Sequence, residues 1–255
     1  MSLREYLDFA TETAYLAGRL TLGYFRTGFE AEMKEDDSPV TIADRQAEEL
    51  IRRRVAAAYP DHGCLGEEGG AHGPDEASHR WIVDPIDGTK SFVRGVPLYA
   101  VLIGLEIEGR PEVGAVYFPA LDEMVSAATG LGCWWNGRPA HVSTVSDPGR
   151  AYVSCSDFGS FEPHGRQAAW ERIAARTYHR VAWGDAYGHC LVATGRIEIM
   201  LDPVMHPWDC APFPPILAEA GGFFGDWQGR TTIYGNEAIS TTQALLPYVL
   251  DMIRG

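Results

Sequence analysis

The sequence predicts an α+β half over residues 1–148, followed by an α/β half over 149–255, fused into one unit with a cleft between them. Three observations predict this. Apolar residues recur at helical spacing through the first sixty positions. Short apolar runs broken by glycine and proline fill 79–144. Beyond about 148, strand-like and helix-like patterns alternate.

Taken in order, Leu3, Tyr6, Leu7, Ala10, Ala14, Leu16, Ala17 and Leu20 predict a helix over 3–25. A polar loop is expected at 34–38. A second helix is expected over 41–59, after Ser38-Pro39, with Ile42, Ala47, Leu50, Ile51 and Val55 toward the core and Pro60 as its stop. Strands follow at 80–83, 100–108, 113–118 and 124–129, with Gly109-Arg110 as a turn, and short spacing makes them an antiparallel meander. The second half reads strand 151–154, helix 166–176, strand 178–183, helix 188–194, strand 197–201 and helix 208–220. Strands at 223–226 and 238–240 and a last helix over 243–254 complete it. No repeat, low-complexity tract or Gly/Ser linker interrupts the chain.

Composition narrows the classes of function. Apolar residues make up 45% and charged residues 22%, as in soluble globular proteins, and no run approaches the roughly 20 apolar residues of a membrane helix. The first residues lack a basic stretch followed by an apolar run, so no signal peptide is expected. Cys64, Cys133, Cys155, Cys190 and Cys210 are scattered and never form C-x-x-C, which argues against a disulfide framework or zinc site and favours a reducing cytoplasm. The net charge of −14 disfavours nucleic acid, since Arg52-Arg53-Arg54 is the one basic cluster and reads as a solvated helix surface. The acid excess serves solubility, gathers carboxylates around divalent cations, or both.

The densest chemical signal runs from Trp81 to Thr89. An apolar strand delivers Asp84 and Asp87 into a turn containing Pro85 and Gly88. Such a turn can aim both carboxylates and the Ile86 carbonyl at one point, where magnesium would find oxygen ligands. Backbone N–H groups after Gly88 could cradle a phosphate oxygen. Asp-Pro and Asp-Gly are also ordinary turn formers. Glu67-Glu68 stands between Gly66 and Gly69, either as a solvated loop or as further ligands. Asp209, at an apparent helix start, caps that helix or binds metal. Asp44 lies in the first turn of a helix, where an acid offsets the macrodipole by about 0.3–1 kcal/mol.

Together, Glu67-Glu68, Asp84-Pro-Ile-Asp87-Gly-Thr89 and Trp208-Asp209 resemble the inositol monophosphatase superfamily in order and spacing, and the resemblance extends from the Asp44 segment to Gly222. It implies a layered αβαβα sandwich, a homodimer, and two to three Mg2+ ions per site, with Mn2+ as a substitute. Carried over, Glu67, Asp84 and the Ile86 carbonyl would hold one ion, and Asp84, Asp87 and Asp209 a second. A third, weaker ion would use Glu67. Thr89 and Asp44 would orient and deprotonate the attacking water, with Glu68 in support. No G-x-S-x-G or Walker A pattern suggests another route.

The substrate is read from later stretches. Arg94 is close in sequence to the expected phosphate site, where Gly88 and Thr89 are read as further contacts. Trp183-Gly-Asp185-Ala-Tyr187-Gly and Asp202-Pro-Val-Met before Trp208-Asp209 look most like the histidinol-phosphate phosphatases of the superfamily. That substrate carries an ammonium and an imidazole, so Asp185 and Asp202 are expected to read it, as a step in histidine biosynthesis. The alternative is an inositol or sugar phosphate; a remoter one is a non-catalytic regulatory relative. Tyr187 and His189 are read as packing residues, with His189 where an aromatic residue is common. Pro214 and Pro215 are expected to strain the helix that follows Asp209.

Overall fold

The computed structural model describes residues 1–28, 32–33, 39–74 and 76–255, so the loop expected at 34–38 lies outside the described residues. The first helix, α1 (Leu3–Leu22), starts at a capping box in which the Ser2 and Glu5 side chains serve each other's backbone N–H. It buries Tyr6, Leu7, Ala10, Ala14 and Ala17. The short strands β1 (Glu32–Met33) and β2 (Pro39–Val40) pair antiparallel. The second helix, α2 (Ile42–Ala58), opens on a Thr41–Asp44 capping box. Its core stripe is Ala43, Ala47, Ile51 and Val55, every fourth residue. Ile42, expected in the core, lies a helical step off that stripe and is 51% exposed, and Leu16 of α1 is likewise exposed.

An eight-stranded sheet follows. Its strands are β3 (Gly63–Gly66), β4 (Gly70–His72), β5 (His79–Asp87), β6 (Ala100–Ile107), β7 (Arg110–Phe118), β8 (Glu123–Ala128), β9 (Cys133–Trp135) and β10 (Arg138–Pro139). The spatial order is β10-β9-β8-β7-β6-β5-β3-β4. From β5 to β10 neighbours are antiparallel, the expected meander. Strands β3 and β4, to which the sequence pattern assigns no element, are short and glycine-containing, and β3 joins β5 in parallel. The stretch after Gly88, read as a turn, is a one-turn helix, α3 (Thr89–Val93).

The second half is built from β11 (Tyr152–Ser154), α4 (Gln167–Ala174), β12 (His179–Val181), α5 (Asp185–Ala193) and β13 (Ile199–Asp202), then α6 (Pro207–Cys210), α7 (Phe213–Glu219), β14 (Gly222–Gly225), β15 (Ala238–Thr242) and α8 (Leu246–Arg254). The five strands are ordered β12-β11-β13-β15-β14. Here α5 begins at Asp185 rather than 188, and α8 at Leu246 rather than 243. The single helix expected over 208–220 is two. Pro212, Pro214 and Pro215 lack the amides that would continue the ladder, so the chain breaks at Ala211-Pro212. That break presses on the sheet where Gly104 and Gly114 face each other across β6 and β7. A Cβ on Gly114 would lie 2.1 Å from the Pro212 carbonyl oxygen, and one on Gly104 2.5 Å from the Ala211 Cβ. Only glycines let the backbone approach this closely.

Five layers result. Alternate residues of the large sheet, Trp81, Val83, Val101, Ile103 and Leu105, meet α1 and α2. The opposite set, Ile82, Leu102, Val116 and Phe118, meets α5 and α7 through Cys190, Leu191, Phe213 and Ile216. The same cluster reaches Met200 and Phe224 of the small sheet. The far face of that sheet, with Val153, Ile199, Leu201 and Ile239, is covered by α4 and α8. This is an αβαβα sandwich with the site residues gathered at the ends of β3, β5, α2, α5 and α6. No helix among the described residues is long and apolar enough to cross a membrane.

Candidate active site

Side chains three apart on a regular strand point to opposite faces. Strand β5 avoids this. Asp84 pairs with Leu102 but Asp87 with Ala100, so three steps on β5 match two on β6. The bulge absorbs one residue and returns both carboxylates to the same side. Asp84 Oδ1 accepts the Ile86 N–H at 2.9 Å, which folds the turn back on itself.

Gly88 then adopts a left-handed conformation, φ 80° and ψ 41°, and starts α3 with Thr89 in first position. The Thr89 hydroxyl donates to the Ile86 carbonyl at 3.0 Å and faces Asp44 Oδ1 at 3.4 Å. The other Asp44 oxygen, Oδ2, accepts from the Thr41 N–H at 2.8 Å and from the Thr41 hydroxyl. One fully buried carboxylate therefore caps α2 and meets Thr89, using a different oxygen for each.

Glu67 follows β3, its N–H donating to the Val83 carbonyl at 3.3 Å. The next two residues are clamped by Glu48, which is 2% exposed. Its Oε2 accepts from the Glu68 N–H and its Oε1 from the Gly69 N–H, both at 2.8 Å, while Arg52 Nε donates to Oε1 at 2.7 Å. Glu68 itself is half-buried, and its charge acts on Arg45. Asp209 stands in the first turn of α6, where its Oδ2 accepts the His206 N–H at 2.7 Å. One oxygen each of Asp84, Asp87 and Asp209 lies within 4.8 Å of the others.

These acids disturb one another. Burial first, then the charges of Glu67, Asp87 and Asp209, hold the Asp84 carboxyl well above its ordinary range. Burial and the charges of Asp185 and Asp209 do the same to Asp87. Burial raises Asp209 to about 7, with Glu67, Asp185 and Asp202 adding to it against the His206 amide. Asp44 is raised by burial, opposed by its Thr41 bonds. The groups named around Asp84, Asp87 and Asp209 are acids and backbone amides. A donor set of converging hard oxygens without a countercharge fits a divalent cation.

The substrate residues are placed unevenly. Asp185 opens α5 with φ 55°, and a Cβ on Gly88 would lie 3.0 Å from its Oδ2. Burial raises its carboxyl to about 6, with Asp202 adding and Lys90 opposing. The adjacent Ala186 N–H donates to Asp87 Oδ2 at 2.6 Å, tying this loop to the acid cluster. Two residues read as substrate contacts are placed differently. Asp202 is 2% exposed, with Oδ1 taken by the Ser156 N–H at 2.9 Å and Oδ2 facing His189 Nε2 at 3.2 Å. Arg94 sits at the far end of α3 from Gly88 and is exposed, with no side-chain hydrogen bond or ion pair among the described residues. Sequence reasoning missed Glu48, Ser156 and Lys90. Glu48 had a signal, an acid four residues before Arg52 on a helix; Ser156 had none.

Comparison with known proteins agrees with this geometry. The profile of the inositol monophosphatase family matches residues 2–251. A histidinol-phosphatase of Chlorobaculum parvum is 45% identical, covering 91% of this chain and 90% of its own. An inositol-1-monophosphatase of Mesorhizobium japonicum is 33% identical, covering 98% and 97%. The crystal structure of the extragenic suppressor protein suhB from Bartonella henselae superposes with a TM-score of 0.91 at 26% identity, over 98% of both chains. The chain belongs to the inositol monophosphatase family and is a phosphoric monoester hydrolase.

Proposed function

We propose that this chain is a magnesium-dependent phosphomonoesterase whose substrate is L-histidinol phosphate. The observation that carries the metal half is the convergence of Asp84, Asp87 and Asp209. Glu67, Asp84 and the Ile86 carbonyl would hold one ion and Asp84, Asp87 and Asp209 another, with manganese as a substitute. When bound, magnesium neutralises phosphate charge and lowers the pKa of water.

The chain's own residues do the rest. The Thr89 hydroxyl directs its hydrogen toward Ile86 and Asp44, so its lone pairs are free to accept from a water. Asp44 holds Thr89 in that sense and receives the proton through it. Glu48 fixes the backbone that presents Glu67. The first amides of α3, beyond Gly88, lack helical acceptors and would face a phosphate oxygen. Water attacks phosphorus as its proton passes through Thr89 to Asp44, the bond to the ester oxygen breaks, and the departing alkoxide takes a proton from solvent, giving free phosphate and the alcohol.

The substrate half rests on Asp185. Its carboxylate stands beside Gly88, at the turn assigned to the phosphate. An acid there suits a phosphomonoester bearing an ammonium or imidazole close to its phosphate. The stronger identity to the histidinol-phosphatase relative than to the inositol-1-monophosphatase supports the same choice.

The test is phosphate release with magnesium, comparing L-histidinol phosphate, myo-inositol 1-phosphate and several sugar phosphates. Histidinol phosphate should lead by about a hundredfold in kcat/KM, equivalent to roughly 2.7 kcal/mol. Equal rates, or a lead for inositol phosphate, would remove the histidinol assignment and leave the phosphatase.

A further inference from the structure

We infer that His189 is a positioning residue for substrate selection, holding Asp185 in place from the core through Asp202 and Ser156. The inference deepens the assignment of Asp185 to an amine-bearing substrate and rests on it for its kinetic test.

The chain of contacts is continuous. Ser240 Oγ lies 2.7 Å from His189 Nδ1, and His189 Nε2 lies 3.2 Å from Asp202 Oδ2. Asp202 Oδ1 accepts the Ser156 N–H at 2.9 Å, and Ser156 Oγ accepts the Asp185 N–H at 2.7 Å. A carboxylate only accepts, so Nε2 carries a hydrogen directed at Asp202, while Nδ1 and the Ser240 hydroxyl bond to each other. His189 and Ser240 are fully buried, and Phe213 and Phe224 pack on the imidazole with ring centroids 4.7 and 5.6 Å away. That burial keeps His189 from substrate and from bulk water. Its remaining use is to hold Asp202.

Asp185 needs such support. With φ 55° it is a side-chain-bearing residue in left-handed backbone, a conformation that persists only where its surroundings impose it. Two hydrogen bonds impose it here, from the Asp185 N–H to Ser156 and from the Ala186 N–H to Asp87. The first hangs from the core network. Without a donor at 189, Asp202 Oδ2 is left buried and unpartnered, a state that favours rearrangement. Rearrangement of Asp202 releases the Ser156 amide, and Ser156 carries Asp185.

The test compares His189→Phe, which keeps the ring and its packing, with His189→Gln, which restores a donor near Nε2. Both are assayed as magnesium-loaded enzyme. Backbone hydrogen exchange at Asp185 and Ala186 reads positioning without substrate. It should accelerate by about tenfold in His189→Phe and by much less in His189→Gln. Kinetically, His189→Phe should raise KM for L-histidinol phosphate while kcat for p-nitrophenyl phosphate, which has no amine, is kept. Unchanged exchange at both amides in His189→Phe overturns the inference, as does exchange in His189→Gln as fast as in His189→Phe. Asp185→Asn separates the two ideas. If it leaves the preference for histidinol phosphate intact, the substrate role of Asp185 falls, and the exchange data still decide the role of His189.

Discussion

A threonine hydroxyl has one hydrogen and two lone pairs, and Thr89 directs its hydrogen toward the Ile86 carbonyl and Asp44. A serine can reproduce this; an alanine cannot. Thr89→Ser should retain most activity, whereas Thr89→Ala should lose about 10²–10⁴-fold in kcat, the usual range for a lost proton-transfer partner. Circular dichroism should show both variants folded. Equal turnover by the alanine variant would dismiss Thr89 as the water's acceptor. At this scale the acids and Thr89 were legible, because their spacing along the chain is distinctive. The double duty of Asp44 was half legible. The sequence offered macrodipole compensation and pairing with Thr89 as alternatives, while the structure gives one oxygen to the cap of α2 and the other to Thr89. The surroundings of Asp202 were not legible, because nothing in Met-Leu-Asp-Pro states that His189 and Ser156 occupy its oxygens.

Among the elements, α6 depends on contacts distant in sequence. Its place is set by the Ala211-Pro212 break seated on the Gly104–Gly114 pair, and Asp209 enters the site from that helix. Gly114→Ala would put a Cβ 2.1 Å from the Pro212 carbonyl oxygen, a backbone atom that cannot swing aside. The variant should lose about 1–3 kcal/mol of stability, the usual cost of overpacking, and bind magnesium more weakly as Asp209 moves. Thermal melts with and without metal check both effects, and wild-type behaviour would show that α6 is held by other contacts. Long amphipathic helices and the meander strands were legible through their periods. Strands β3 and β4 were not, and of the break between α6 and α7 only the strain at Pro214 and Pro215 was. Glycine-rich strands carry little pattern, and the register of prolines against a remote glycine pair is a tertiary fact.

Across the whole molecule, the buried acids make stability depend on pH and metal together. Asp209 at about 7 and Asp185 at about 6 both lie above the ordinary 3.8. In the metal-free protein their folded forms hold protons that the unfolded chain releases. Their contribution to stability is therefore fully present below 3.8 and is lost as pH rises through about 6 to 7. Bound metal favours the ionised forms and removes that loss. Magnesium at about a hundred times its Kd should add roughly 2.7 kcal/mol, about 5–10 °C in Tm for a chain of this size. The increment should be larger at pH 8 than at pH 5.5, and thermal scans with magnesium or chelator measure it. A Tm indifferent to both at pH 8 would refute the site.

By itself, the sequence determined the class of fold, the family and the residue types of the acid cluster. Hydrophobic period is a local property, and the Asp-Pro-Ile-Asp-Gly-Thr turn carries its chemistry within six residues. Only the tertiary structure decided which acids meet and which are spent on the protein. A bulge measured against β6 brings Asp84 and Asp87 to one side. A glycine pair on β6 and β7 seats the helix of Asp209, and Ser156, Asp202 and His189 together set Asp185. Each of these is a contact between residues far apart in sequence, and such contacts leave no local period to read.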